Sequence, residues 1–126
     1  MIDTSDIPEQ GEEFFRRARL RDDKHLAFIR TLPCCACLND GPSEAAHIRS
    51  GCLAIDKRET GMGEKPDDKW TLPLCWQCHR EQHSMNERDF WEEQKVNPFT
   101  LAQQLYTVSG DKEAATSLIV RTNLSL

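Results

Sequence analysis

The sequence predicts a small α+β domain: a short β-hairpin and a following helix, tied together by four cysteines and flanked by helices on both sides. Three observations predict it. Two Cys-x-x-Cys pairs, Cys34/Cys37 and Cys75/Cys78, bracket a middle segment rich in glycine and proline. That segment holds only short apolar runs of strand length, whereas helical periodicity is confined to the two ends. Apolar residues make up 38% and aromatics 7% of 126 residues, so the chain can bury only a modest core and gains from a cross-link.

Residues 1–10 read as a loose tail. A helical pattern begins at about Glu12 with Phe14, Phe15 and Ala18. Asp22 or Asp23 can cap a second helix through His25, Leu26, Phe28 and Ile29, which Pro33 stops. From Cys34 to Leu74 the chain should form loops and brief strands. Ala45 to Ile48 and Trp70 to Leu74 suit two strands of a hairpin, with SGCLAIDKRETGMGEKPDD as a long loop between them. Helical signal returns from about Gln77 to His83. Ser84 with Glu87 has capping-box spacing and predicts a helix carrying Phe90 and Trp91. Asn97 followed by Pro98 predicts another helix to about Tyr106, and Asp111 caps a last one over Ala114, Leu118 and Ile119. These C-terminal helices are expected to pack against the small metal-bound centre. No repeat or low-complexity linker divides the chain, so one domain is expected over 1–126.

Charge and apolar content exclude some classes. The net charge is -5, which argues against a protein that coats nucleic acid through phosphate contacts alone. Its distribution is uneven: Met1 to Phe15 holds five acids and no base, while Arg16 to Arg30 holds six bases against Asp22 and Asp23. Such a basic run is a solvated helix face or a phosphate contact. The N-terminus, MIDTSDIPEQGEEFF, has neither a basic n-region nor an apolar h-region, and no apolar run approaches the ~20 residues of a membrane span. A cytoplasmic protein with reduced thiols and no membrane role is expected, so six cysteines point to metal rather than disulfides.

Cys34, Cys37, Cys75 and Cys78 offer four thiolates, the closed tetrahedral set of structural zinc, and metal binding then contributes to folding on the order of 10 kcal/mol. Cys35 could compete with Cys34, but its spacing to Cys37 is too short; Cys52 is expected to be a free thiol. A redox role for either pair lacks a thioredoxin-like surround. With the cysteines assigned, His79 and His83 remain. Four apart on a helix, they share one face and could hold a second cation, or either could replace a cysteine in the zinc shell. His47, in EAAHIR at the end of the first strand, should be carried back over the helix by the hairpin.

The order CCAC, EAAHIR, GMGEKPDDKWTLPLCWQCH and a final His83 resembles the HNH endonucleases, whose core is two strands and a helix around a metal. The glycine-rich GxGxKPDD run before PLCxxCH is similar to the phage Ref-like branch, the RecA-dependent nuclease-like proteins. The resemblance covers about Leu32 to Trp91. It implies a ββα-metal core at 32–91 and a helical C-terminal extension at 92–126.

The resemblance also implies an activity: metal-dependent hydrolysis of DNA phosphodiester bonds, in a phage or prophage setting linked to recombination. His47 resembles the general base, and a neutral imidazole suits that task near neutral pH. His79 and His83 resemble ligands of a catalytic divalent ion, Mg or Mn. Arg49, Lys57, Arg58, Lys65 and Arg80 lie near the site and could neutralise phosphates, interrupted by Asp56, Glu59 and Glu64. DNA is the expected partner, with a RecA-type filament as a candidate for presenting it. Two departures stand out. Where many relatives carry a histidine or aspartate ligand just before the base, this chain has Ala46. The family's middle asparagine falls near Trp70, and Asp68, with Asp67 second, is the expected substitute that fixes the tautomer of His47. The rival expectation is a non-catalytic zinc-binding DNA or protein adaptor with an HNH-like fold, needing one zinc and no exchangeable ion.

Overall fold

The computed structural model describes residues 19–55, 57–60 and 65–124. The tail over 1–10, the helix expected from Glu12 and the glycines of GMGE lie outside them. Along the described residues run α1 (Asp23–Arg30), β1 (Glu44–His47), a 3-10 turn (Leu53–Ile55), β2 (Thr71–Leu74), α2 (Trp76–His83), α3 (Glu87–Gln94), α4 (Pro98–Thr107) and α5 (Lys112–Leu124). The expected α+β class holds at this level. No helix among the described residues is long and apolar enough to cross a membrane.

Strands β1 and β2 pair antiparallel, with Glu44 opposite Leu74, Ala45 opposite Pro73, Ala46 opposite Leu72 and His47 opposite Thr71. All four residues of β2 are buried, so it lacks the half-polar alternation of a solvent-facing strand. Helices α1, α2 and α4 all contact it. Pro73 has no N–H to give the ladder, which a strand with a free edge tolerates. Its carbonyl accepts from Cys35 N at 2.9 Å, hanging the first Cys-x-x-Cys turn from the second strand.

Local signals set most helix ends. The Asp22 side chain accepts from His25 N, and His25 and Ile29, four apart, form the buried stripe of α1. Asn97 accepts from Phe99 N and Thr100 N, with Pro98 in the first helical position where no N–H is missed. Asp111 accepts from Ala114 N at 3.1 Å. The start of α3 departs from expectation. Ser84 closes α2, its hydroxyl donating to Glu81 O at 2.8 Å, and Asn86 is the cap that accepts from Asp89 N. Glu87 is therefore released from the expected capping box. Its carboxylate accepts from Arg49 N at 3.1 Å and Ser50 N at 3.2 Å, pinning the chain just beyond β1 to α3.

Phe90, Ile29, Leu72, Leu74, Leu101 and Ile119 are fully buried and draw α1, the sheet and the C-terminal helices into one core. Each such side chain contributes about 1.5–3 kcal/mol by leaving water. Phe90 and Trp91 belong to this core and α3 runs on to Gln94, so the boundary expected after residue 91 falls inside a helix. In the long loop, Gly51 permits a close approach: a Cβ there would stand 2.8 Å from Glu59 N and 3.1 Å from Lys57 O.

Candidate metal centres and the His47–Asp68 pair

Cys34, Cys37, Cys75 and Cys78 lie with their sulfurs all within 4.8 Å of one another. Cys37 Sγ and Cys75 Sγ are 3.7 Å apart, against about 3.8 Å along the edge of a tetrahedron with 2.3 Å metal–sulfur bonds. Backbone N–H groups of Ala36 and Cys37 donate to Cys34 Sγ at 3.4 and 3.5 Å, directing the first turn's dipoles at that sulfur. Burial raises the Cys37 and Cys78 thiols. Burial pushes Cys75 the same way, but the Cys78 backbone N–H and neighbouring thiols draw it below the usual thiol range. Four crowded sulfurs of this kind ionise together only around a cation, so the donor set fits a metal such as zinc. Cys35 is buried outside the cluster with its thiol raised well up by burial, and Cys52 makes a backbone bridge to Lys57.

His47, at the end of β1, places Nε2 3.0 Å from Asp68 Oδ1. The Asp68 side chain is fully buried and also accepts from Arg19 Nη1 and, at 2.8 Å on Oδ2, from Asp22 N. Burial alone would raise this carboxyl, but the hydrogen bonds from His47, Asp22 and Arg19 outweigh it and hold it below the usual carboxylate range. An ionised Asp68 can only accept, so Nε2 of His47 carries the proton and Nδ1 the lone pair. Burial lowers the His47 imidazole despite the opposing pull of Asp68, with Arg19 and Lys65 pushing the same way as burial. Near neutral pH the ring is therefore uncharged. Asp67 takes a different role, its Oδ1 accepting from Leu20 N at 2.7 Å.

On α2, His79 and His83 bring their Nε2 atoms 3.2 Å apart. That is close to the separation of two neighbouring ligands on one ion with bonds of about 2.1 Å. Among the described residues, the cysteine four is the set of three or more potential ligands within mutual reach; the histidine pair gathers no third. Glu44 Oε1 meets Nδ1 of His79 at 2.6 Å.

The basic residues divide. Lys57, expected to face phosphate, is instead buried: Nζ donates to Ser50 O at 2.7 Å and lies 5.7 Å from the Trp70 ring. Its charge is spent on closing the loop. Arg58 donates to Glu59 O at 3.3 Å, Arg80 stacks 5.5 Å from the exposed Trp76 ring, and Lys65 is exposed. Arg49 is exposed beyond β1, where its backbone is held by Glu87.

Three contributions escaped the sequence reading. Arg19 and Asp22 hold Asp68 from 40-odd residues away, a contact no local spacing announces. Asn123 of α5 donates to Cys35 O and Ala36 O, both at 3.1 Å, clasping the first cysteine turn. Glu44 precedes the strand expected from Ala45; extending that strand back one residue would have put it on the same face as Ala46.

Fold and site define a small α+β protein organised around a four-cysteine cluster close enough to hold a metal such as zinc. The family described as protein of unknown function (DUF968) matches residues 4–109, and the chain belongs to it. It is also similar to the uncharacterized protein YdfU of Escherichia coli (strain K12), at 32% identity over 80 residues, 61% of this chain and 21% of the relative. The chain thus spans about a fifth of that relative's length in the match. No solved structure matches.

Proposed function

We propose that the protein is a metal-dependent HNH-type endonuclease that hydrolyses DNA phosphodiester bonds, with a structural zinc on the four cysteines and a catalytic divalent ion, Mg or Mn, on His79 and His83. The observation that carries this reading is the hydrogen bond from His47 to the fully buried Asp68 carboxylate, which leaves a neutral imidazole with its Nδ1 lone pair free to act as a base.

In the proposed reaction, His47 Nδ1 takes a proton from water as the water oxygen forms its bond to phosphorus. The bond from phosphorus to the 3′-oxygen breaks, and that oxygen leaves with a proton from solvent. The products carry 5′-phosphate and 3′-hydroxyl ends. Asp68 stabilises the imidazolium formed on the way and stays ionised throughout. His79 and His83 would hold the divalent cation, which would supply Lewis-acid stabilisation of the charge that develops in the reaction. Arg80, beside the histidine pair, and Lys65, whose charge acts on His47, are the basic side chains best suited to phosphate contact. The resemblance to the Ref-like branch extends the proposal to a phage or prophage setting and to DNA presented on a RecA-type filament.

One observation favours the rival adaptor: Ala46 offers no ligand, and the histidine pair gathers no third within reach among the described residues. A redox role is disfavoured because the two Cys-x-x-Cys pairs converge into one cluster rather than standing apart as dithiols. The test is cleavage of single- and double-stranded DNA by zinc-loaded protein with added Mg or Mn, alone and with a RecA filament, beside His47→Ala. Cutting that needs the added metal and is lost in the variant supports the nuclease. No cutting under any of these conditions, with one zinc and no exchangeable ion bound, supports the adaptor.

A further inference from the structure

Glu44 opens β1, and strand alternation sets it and Ala46 on the same face. Ala46 is the position where a metal ligand is expected and missing. Glu44 lies opposite Leu74, the residue before Cys75, so its side chain stands beside the start of α2. There Oε1 is 2.6 Å from His79 Nδ1.

We propose that Glu44 is a positioning residue for a divalent cation on His79 and His83, acting through His79 rather than as a ligand. The proposal rests on the reading of that histidine pair as the catalytic ion's site. A carboxylate can only accept, so His79 Nδ1 must donate, which forces the ring's lone pair onto Nε2. That is the nitrogen facing His83 Nε2 at 3.2 Å. A free imidazole divides its time between two tautomers and rotates; the contact with Glu44 removes both freedoms. Among the described residues, Glu44, His79 and His83 do not form a set within mutual ligand reach, which is why the role is orientation. The contact also answers the substitution at Ala46 in part: a ligand is lost from the strand, and the same strand face instead stiffens one of the two that remain. Water then completes the shell, as Mg and Mn commonly accept.

The alternative is a surface contact of no consequence, since the Glu44 side chain is 54% exposed. Calorimetric titration of zinc-loaded protein with Mn separates the two, using wild type, Glu44→Gln and Glu44→Ala. Nitrogen NMR of the His79 ring without added Mn provides a readout independent of activity. The expected result is about a 10- to 100-fold weaker Mn affinity in Glu44→Ala. Glu44→Gln, whose amide oxygen still accepts from Nδ1, should fall between. The ring should show one tautomer in wild type and a mixture in Glu44→Ala, with zinc retained in all three. Equal affinity in wild type and Glu44→Ala overturns the role of Glu44 while leaving the ion site standing. No Mn bound by wild type overturns both, and Mn bound with the expected Glu44 dependence but without cleavage overturns only the nuclease reading.

Discussion

Replacing Asp68 with asparagine changes one charge and almost no volume at the point where three elements meet. The carboxylate accepts from His47 Nε2 and Arg19 Nη1 on one oxygen and from Asp22 N on the other. Asparagine cannot serve all three. If its oxygen keeps His47 and Arg19, its NH2 faces the Asp22 N–H, donor to donor; if it keeps Asp22, the NH2 faces the other two. A hydrogen bond to a charged group contributes about 1.5–3 kcal/mol, and a buried donor left facing a donor adds its own penalty. Asp68→Asn should therefore lower stability by about 2–4 kcal/mol, read from urea unfolding of the zinc-loaded protein. The loss depends on pH. The folded-state pKa of Asp68 lies below its unfolded value of about 3.9, so the wild-type advantage is full above that value and fades as pH falls through the lower folded one. Where Asn presents its NH2 to His47, the imidazole is pushed to the other tautomer. Single-turnover cleavage by the proposed nuclease should then fall by about 10²- to 10⁴-fold, the usual range for a general base. An Asp68→Asn protein within about 0.5 kcal/mol of wild type would refute the account of the network. A stable variant with unchanged His47 tautomer and cleavage within about threefold would refute the role assigned to the pair.

Chelation, or Cys37→Ser with Cys78→Ser, should unfold the protein, with a loss on the order of 10 kcal/mol. Cys35→Ala and Cys52→Ser should each retain one zinc per chain by elemental analysis; loss of zinc in either would mean that the ligand set is wrong. Asn123→Ala removes two hydrogen bonds to Cys35 O and Ala36 O and should cost about 1–2 kcal/mol without changing zinc stoichiometry. Because burial lowers the His47 imidazole, cleavage by the proposed nuclease should rise with pH through a midpoint below about 6.5 and level off above it. A midpoint well above that value would remove His47 from the role of base.

What was legible in the sequence was what short spacing controls. Asp22, Asn97 and Asp111 each cap a helix within three residues of themselves, and each does so in the structure. The two Cys-x-x-Cys turns are local, and their convergence follows from the thiol count and the hairpin between them. The capping box failed for a physical reason. Ser84 and Glu87 have the right spacing, but Asn86 is as good a cap, and Glu87 gains more by accepting backbone N–H groups from beyond β1. Lys57 misled in the same way: a lysine in a basic run reads as solvent-facing, yet a carbonyl and an indole ring close by make burial affordable. Position in the sequence favours Asp68 over Asp67 only weakly, and the structure separates them through Arg19 and Asp22, residues that only the folded chain brings near.

The short stretch Leu72 to His83 contributes residues to two candidate metal centres, and their order along the chain couples them. Cys75 is the cap residue of α2, Cys78 lies in its first turn, and His79 follows directly. A metal on the four cysteines would tie that first turn to the Cys34 turn, which Asn123 of α5 braces through Cys35 O and Ala36 O. That anchoring would fix the angle at which the helix enters against β1, where His79 Nδ1 lies 2.6 Å from Glu44 Oε1. A small core with short strands could not hold this geometry by burial alone, because an eight-residue helix is marginal without outside anchors. If the second ion is bound as proposed, removing zinc should abolish Mn binding even though His79, His83 and Glu44 are untouched. The reverse coupling should be weak: His79→Ala with His83→Ala should keep zinc and fold, since neither ring belongs to the buried core. An Mn affinity that survives zinc removal would show that the helix orients itself and that the two centres are independent.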